Sequence, residues 1–252
     1  MNMNIGAVII GDEILSGKRQ DKHFSHIQEV LAQRGLELSW TVIVGDEPDQ
    51  LERFLRFTMA TDDLVFSFGG IGATPDDRTR QTAARVAGVE LLPHQEAIAE
   101  IEAKFGKSTN PKRLLMAELP VGSRIIPNPV NRVPGFSFNH HHFMPGFPEM
   151  SWPMLEWVLD SLYPELKDLA PASEQTIYIT NSRESDLLDI MTKIVTDYPQ
   201  LKLSSLPRLG NTPCIELSLR GNHLDVEQAM TELQSTINGL GITWTSQPIV
   251  NQ

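Results

Sequence analysis

The sequence predicts an α/β protein: an open, mostly parallel sheet covered by helices on both faces, followed by a small α+β domain. Three observations carry this. Residues 5–10 (Ile-Gly-Ala-Val-Ile-Ile) and 64–68 (Leu-Val-Phe-Ser-Phe) are continuous apolar runs, the pattern of strands buried on both faces of a parallel sheet. Each such run leads through a glycine-bearing loop into apolar residues at helical spacing, so the order reads βαβαβα. Beyond residue 170 the order changes to βαββα.

The elements follow in turn. After the first strand come Gly11, Asp12 and Glu13, then Phe24, Ile27, Val30 and Leu31 at helical spacing, with Gly35 as C-cap. Residues 36–44 predict the second strand, ended by Gly45 and Asp46. Pro48 stands where proline opens a helix, and Leu51, Phe54, Leu55 and Met59 form its buried stripe. The third strand, 64–68, breaks into a glycine loop. The chain re-enters a helix near Asp77, which continues over 82–87 to Gly88. Helices are expected at 96–105 and 111–118, with a loop at 107–110 between them. Residues 119–143 hold Pro120, Pro127, Pro129 and Pro134 and predict strand pieces and turns, a hairpin flap on the sheet. Residues 144–150 open a helix carrying Met154, Leu155, Val158, Leu159 and Leu162, with Trp152 and Trp157 as packing residues. A polar linker at 166–174 separates domains at 1–168 and 172–252. The second domain has strands 176–179, 201–206 and 215–219, helices 185–198 and 225–237, and a last strand piece near 242–244.

Composition narrows the function. A net charge of −11 argues against a general nucleic-acid or anionic-membrane surface, which needs clustered Lys and Arg. Cys214 is the one cysteine, so no intrachain disulfide forms and a reducing compartment is expected. The N-terminus shows no basic region followed by an apolar run, and the expected location is the cytoplasm, without a membrane partner. Cys214 lies in an apolar strand and reads as a small buried hydrophobe. The βαββα order resembles RNA-binding KH domains, but Gly210-Asn211-Thr212-Pro213 lacks the second glycine of their loop, so no nucleic-acid partner is expected. In His140-His141-His142 the outer pair shares one strand face and could chelate; with no third ligand apparent, a solvent-facing strand is the simpler reading.

The chemistry concentrates in residues 69–79. Gly69, Gly70 and Gly72 tolerate positive φ and the close approach of a ligand. Thr74, Asp76, Asp77 and Thr79 follow at a helix start, whose N–H groups face the loop. Strand, glycine loop and helix N-terminus together make an anion site, most often for phosphate. Carboxylates beside a phosphate repel it unless a divalent cation lies between. The plain alternative is a tight βα connection with Asp76 or Asp77 as a helix cap. If the strands are parallel, the loops at 11–13, 45–46 and 69–77 converge on one edge, beyond the carboxyl ends of the strands where ligands bind.

The motifs Gly11-Asp12-Glu13-Ile14-Leu15-x-Gly17, Asp46, Gly69-Gly70-Ile71-Gly72-x-Thr74-Pro75-Asp76-Asp77-x-Thr79, Asn128-Pro129, Pro134-Gly135-Phe136 and 144–150 (Met-Pro-Gly-Phe-Pro-Glu-Met) resemble the N-terminal region of the CinA family (competence/damage-inducible protein A). That region is similar to the molybdopterin-binding domain of the MoaB/Mog proteins, and the resemblance spans nearly the whole chain. It implies a MoaB/Mog-like fold, a homo-oligomer (dimer or trimer) and a small phosphorylated ligand, nucleotide or pterin. By position it implies Asp46 and Asp77 as the acidic catalytic and metal-holding residues, joined by Glu13. The same comparison places Gly11, Asp12, Glu13, Gly69, Gly70, Gly72, Thr74, Asp76, Thr79, Asn128, Pro145 and Gly146 around the ligand. The chain departs from the family at Ala73, where proline is usual. It departs also at Asp21-Lys22-His23, for Asp-Thr-Asn, and at Asn131-Arg132-Val133, for Gly-Thr-Ala. The amidase domain of many CinA proteins has no counterpart in this sequence, and amidase activity is expected to be absent.

Two functions follow as expectations. One is a metal-dependent pyrophosphatase acting on an ADP-ribose-like substrate, with Mg²⁺ or a transition ion such as Ni²⁺ or Co²⁺ as cofactor and K⁺ as an accessory ion. The other is a non-catalytic module that binds molybdopterin or a similar phosphorylated pterin, related to molybdenum cofactor biosynthesis.

Overall fold

A computed structural model of the protein describes residues 4–106, 109–167, 169–208 and 213–249. The chain forms two compact units that divide between Leu169 and Ala170.

The first unit runs β1 (Ile5–Ile10), α1 (Asp12–Leu15), α2 (His23–Ala32), β2 (Trp40–Val44), α3 (Pro48–Thr58), β3 (Leu64–Phe68), α4 (Thr79–Ala87), β4 (Leu91–Pro93), α5 (Gln95–Phe105), α6 (Pro111–Leu114), β5 (Glu118–Pro120), β6 (Arg124–Ile126), β7 (Gly135–Phe138), β8 (His141–Met144) and α7 (Pro148–Leu162). Its main sheet has the order β2-β1-β3-β8-β7-β6. β1 pairs parallel with β2 and β3, and β3 with β8; β7 and β6 continue antiparallel. Every residue of β1 and β3 is buried, because alternate side chains enter two cores. Ile5, Ala7 and Ile9 pack with Ile27 and Leu31 of α2 and Leu155 and Val158 of α7. Val8 and Ile10 pack on the other face with Leu51 and Leu55 of α3, Ala83 of α4 and Ile101 of α5. All parallel strands therefore end at one edge, where the loops after β1, β2, β3 and β8 meet.

The second unit has β9 (Ser173–Thr180), α8 (Glu184–Asp197), β10 (Lys202–Arg208), β11 (Cys214–Gly221), α9 (His223–Gly239) and β12 (Trp244–Thr245). Its four-stranded antiparallel sheet has the order β10-β11-β9-β12. Ile177, Ile179, Leu217 and Leu219 form its core with Leu187, Ile190, Val226 and Leu233 of the helices. Cys214 is buried with a free thiol. Of the candidate RNA loop, residues 210–212 lie outside the described residues, as do residues 107–108 of the loop expected at 107–110. No helix among the described residues is long and apolar enough to cross a membrane.

Four expectations need correction. β2 begins at Trp40 rather than at residue 36, because Leu36 closes the end of α2 by donating its amide to Leu31 O at 2.8 Å. The flap expected over 119–143 belongs to the main sheet: β8 is fully buried and inserts beside β3, extending a sheet that β3 alone would leave with an open edge. The helix expected near Asp77 starts at Thr79, since the Asp77 amide closes a turn onto Thr74 O at 3.0 Å. The histidines are not on a solvent-facing strand. His141 and His142 are 3% and 1% exposed, on opposite faces of β8. The His142 ring bonds Ser137 Oγ through Nδ1 at 2.7 Å and Tyr163 Oη through Nε2 at 2.9 Å, while His140 Nδ1 meets the same phenol at 3.2 Å.

Burial pulls both His141 and His142 down to about 3. The unfolded chain then binds protons near pH 6.5 that the fold refuses, so stability is lost as pH falls from about 6.5 toward 3. By pH 5 the loss is about 2 kcal/mol per histidine. Urea unfolding of the protein and of His142→Gln at pH 7 and pH 5 tests this: the variant should lose about 2 kcal/mol less on acidification. Equal losses would remove His142 as the cause.

Candidate functional site

The loops at the carboxyl edge enclose a cavity of about 510 Å³. Of the residues expected there, Gly11, Glu13, Asp46, Gly69, Gly70, Gly72, Thr74, Asp76, Asp77, Asn128, Pro145 and Gly146 line it. Asp12 and Thr79 do not, and both act from behind. The Asp12 amide donates to Asp46 Oδ2 at 2.9 Å and the Asp46 amide to Asp12 Oδ1 at 3.1 Å, a reciprocal clasp that fixes the β1 and β2 loops together. The fully buried Thr79 donates its hydroxyl to Gly69 O at 3.0 Å and its amide to Gly70 O at 2.9 Å. The first amide of α4 is thus engaged by the loop itself and is not available to a ligand, contrary to the expectation of free helix N–H groups there.

The glycine loop supplies donors of its own. Gly69 and Gly70 have φ of +112° and +68°, and a Cβ at either would collide with Ile10 O or the Thr79 hydroxyl. Gly72 needs no positive φ; its missing Cβ leaves room for the Asp77 carboxylate. Asp77 Oδ2 accepts from the Thr74 amide at 2.9 Å and from the Thr74 hydroxyl, bracing the far end of the loop. Among the described residues, the amides of Gly70, Ile71, Gly72 and Ala73 donate to no protein acceptor. Four successive amides without a protein acceptor, in a loop lining a cavity, are the donor pattern of an anion nest.

The loop keeps its shape through a residue absent from the sequence reading. Arg80 of α4 is 2% exposed. Its guanidinium donates to Ile71 O at 3.1 Å, Gly72 O at 2.7 Å, Glu118 O at 3.0 Å and Leu115 O. The carbonyls of the nest are thereby drawn inward onto a buried cation. Arg19, also unanticipated, lines the cavity as a basic side chain, held by its amide to Glu13 O at 2.9 Å. A basic residue two positions past Gly17, in the loop after the first strand, was the available signal for it. Phe105, Met116, Phe147 and Met150 add an apolar wall.

The departures from the family are accommodated differently. Asn131 and Val133 line the cavity, whereas Arg132 turns away, with φ of +60° and a two-pronged ion pair to Glu100 at 2.8 and 2.9 Å. Asn128 holds this loop by accepting from the Val130 amide and donating to Val133 O, both at 3.0 Å. Asp21 caps α2 through the His23 and Phe24 amides. His23 is buried, stacks on Phe68 at 4.4 Å and meets Gly146 O at 3.2 Å.

The rim is strongly acidic. Burial raises the Asp46 carboxyl above its ordinary value, and the negative charges of Asp12, Glu13 and Asp76 raise it further against the Asp12 amide bond. The repulsion is what a cation in the cavity would relieve. No three His, Cys, Asp or Glu side chains among the described residues are grouped so as to hold a metal ion by themselves.

Two outcomes follow. Replacing Arg80 by Met takes the guanidinium from four carbonyls, of which Leu115 O keeps the Glu118 amide, and should destabilise the unit by about 3 kcal/mol or more, measured by denaturant unfolding. A loss below about 1 kcal/mol would mean the loop holds itself. Because Asp46 is raised in the fold, its ionisation opposes folding as pH rises above the unfolded carboxylate value. Asp46→Asn should therefore melt at a higher temperature than the parent at pH 7, with the gap closing toward pH 4 in calorimetry. A variant that melts lower at pH 7 would contradict the raised carboxyl.

Comparison with known proteins identifies the family. The family described as "Probable molybdopterin binding domain" matches residues 6–168. A CinA-like protein of Geobacter sp. (strain M21) is 32% identical over 244 residues, covering 92% of this chain and 58% of that protein. A protein of Caldivirga maquilingensis is 30% identical over 203 residues, 77% of each chain. The crystal structure of the CinA protein of unknown function from Thermoplasma acidophilum matches with a TM-score of 0.57 at 30% identity, over 63% of this chain and 98% of that one. The chain thus spans a little over half the length of the Geobacter relative. It belongs to the molybdopterin binding domain family and is a CinA-like member of it.

Proposed function

We propose that the cavity binds a small phosphoanhydride-linked ligand and, with a divalent cation, hydrolyses it, an ADP-ribose-like molecule being the substrate class. The observation that carries this is the nest of four loop amides, at Gly70, Ile71, Gly72 and Ala73, without protein acceptors among the described residues and beside the carboxylates of Glu13, Asp46, Asp76 and Asp77. Donors and carboxylates in one cavity suit a phosphate and a cation together and neither alone.

The residues divide the work. The nest takes one phosphate and Arg19 meets the charge of the second. The wall of Ile71, Phe105, Met116, Phe147 and Met150 accepts a flat ring and keeps water from it. Asp46, Asp77 and Glu13 would hold the cation, which offsets charge on the phosphoryl oxygens. The lack of a three-residue cage among the described residues suits an ion that completes its shell with phosphate oxygens and water, as Mg²⁺ does. Water adds at one phosphorus and the bridging oxygen leaves with the other phosphate, giving AMP and a sugar phosphate from ADP-ribose.

A second reading keeps the site and drops the turnover: a module that holds a phosphorylated pterin. The description of the matched family favours it, and the same apolar wall would take a pterin ring.

Incubation with ADP-ribose and Mg²⁺, Mn²⁺, Co²⁺ or Ni²⁺, with and without K⁺, separates the two. Hydrolysis predicts metal-dependent AMP release that falls by on the order of 100-fold in both Asp46→Asn and Asp77→Asn. No AMP with any metal, from protein that still binds a pterin phosphate, establishes the second reading.

A further inference from the structure

The turn between β8 and α7 carries part of the wall of the glycine-loop cavity, through Pro145, Gly146 and Phe147. What holds this turn comes from elsewhere in the chain. His23, the first residue of α2, meets Gly146 O through Nε2 at 3.2 Å. Among the described residues, no other side chain from outside the β8–α7 segment bonds residues 145–147. Gly146 in turn lies against the glycine loop: a Cβ on it would stand 3.4 Å from Gly69 Cα. The same imidazole stacks on Phe68, with 4.4 Å between ring centres and 12° between planes. Phe68 is buried and immediately precedes Gly69. The base of the ring is fixed as well, since the Asp21 carboxylate accepts the His23 amide at 3.0 Å and the Phe24 amide at 2.9 Å.

The tautomer follows from these contacts. A carbonyl only accepts, so Nε2 is the N–H. Burial lowers the pKa of His23, against the opposing effects of the Gly146 carbonyl and Asp21, and the ring is neutral at pH 7. Nδ1 is then a lone pair, sealed without a partner. One face of the ring is thus committed to the start of the glycine loop and one edge to the opposing turn. The loop itself has other supports, in Arg80 and Thr79.

We propose that His23 is a positioning residue for the glycine-loop cavity: its Nε2–H holds the Gly146–Phe147 turn against the start of the glycine loop, and so sets the distance between the apolar wall and the loop amides. Its effect falls on ligands that carry a ring as well as phosphates. The ligand arm of the test rests on the function proposed above; the backbone arm does not.

The backbone arm is ¹⁵N relaxation of the full chain without ligand. His23→Phe keeps the ring and its stack on Phe68 but deletes the N–H. It should lower the order of the Gly146 and Phe147 amides and leave those of Gly70 and Gly72 unchanged. His23→Gln, which offers an N–H at the same reach, should restore it. The ligand arm is calorimetric titration, with Mg²⁺, of methylenediphosphonate, which has no ring, and of α,β-methylene-ADP, which has one. His23→Phe should bind the first within about twofold of the parent and the second about tenfold more weakly, with His23→Gln regaining most of that loss. If the parent binds neither compound, the function proposed for the cavity fails, and the relaxation result alone decides the role of His23. Long-range ¹H–¹⁵N spectra of the parent serve if His23→Phe does not fold: the Nε2–H tautomer at pH 7 is expected, and an Nδ1–H tautomer would overturn the proposal. Unchanged order at Gly146 and Phe147 in His23→Phe, equal losses for both compounds, or His23→Gln no better than His23→Phe would overturn it too.

Discussion

The buried guanidinium of Arg80 is the interaction on which the glycine-loop site depends. It stands at the start of α4 and binds carbonyls from the loop after β3 and from the segment before β5. Drawing the Ile71 and Gly72 carbonyls onto a cation fixes the peptide planes of the loop, which is what leaves its amides unpaired. A desolvated arginine is costly, and carbonyl dipoles on several sides, with the charges of Glu118 and Asp77, are the compensation. Thr79 secures the same loop from below through Gly69 and Gly70, and Asp77 closes its far end through Thr74. The loop is therefore shaped by the protein's own hydrogen bonds, the condition for electrostatic stabilisation without reorganisation.

The acidic side of the cavity follows a different logic. Asp12 and Asp46 clasp each other's amides, so two loops from neighbouring strands are tied by hydrogen bonds that place like charges close together. Burial first, and the charges of Asp12, Glu13 and Asp76 after it, raise the Asp46 carboxyl there. Sites that concentrate unrelieved charge trade stability for function, and a cation bridging to phosphate would relieve it. Amide donors and carboxylates thus line one cavity together, the Asp77 carboxylate lying against Gly72.

How much of this could be read from sequence depended on where each signal lies. β1 and β3 were legible because strands buried on both faces are apolar throughout, and the acidic and glycine-rich loops directly follow them in the chain. The order of the second unit was legible for the same local reasons. Arg80 was not, since its partners at Leu115 and Glu118 lie some distance away in sequence and nothing local marks an arginine as buried. Arg19 carried only a weak positional signal. β8 reads as part of a flap because it is four residues long and bounded by proline-rich turns, yet its pairing with β3 is set by the sheet, not by local pattern. A solvent-facing strand for the histidines follows from the lack of a third ligand nearby, and the burial of β8 overrides it. Asp12 and Thr79 stand behind the cavity rather than in its lining, because the direction of a side chain is decided by the partner it finds.

The measurement closest to the central claim is an amide NMR titration of the first unit's loop, in the full chain, with inorganic pyrophosphate and Mg²⁺. A preformed nest predicts downfield shifts at Gly70, Ile71, Gly72 and Ala73, with Thr79 unmoved because its amide already serves Gly70 O. Shifts confined to Thr79 and the helix behind it, or none in the loop at saturating pyrophosphate, would contradict the account.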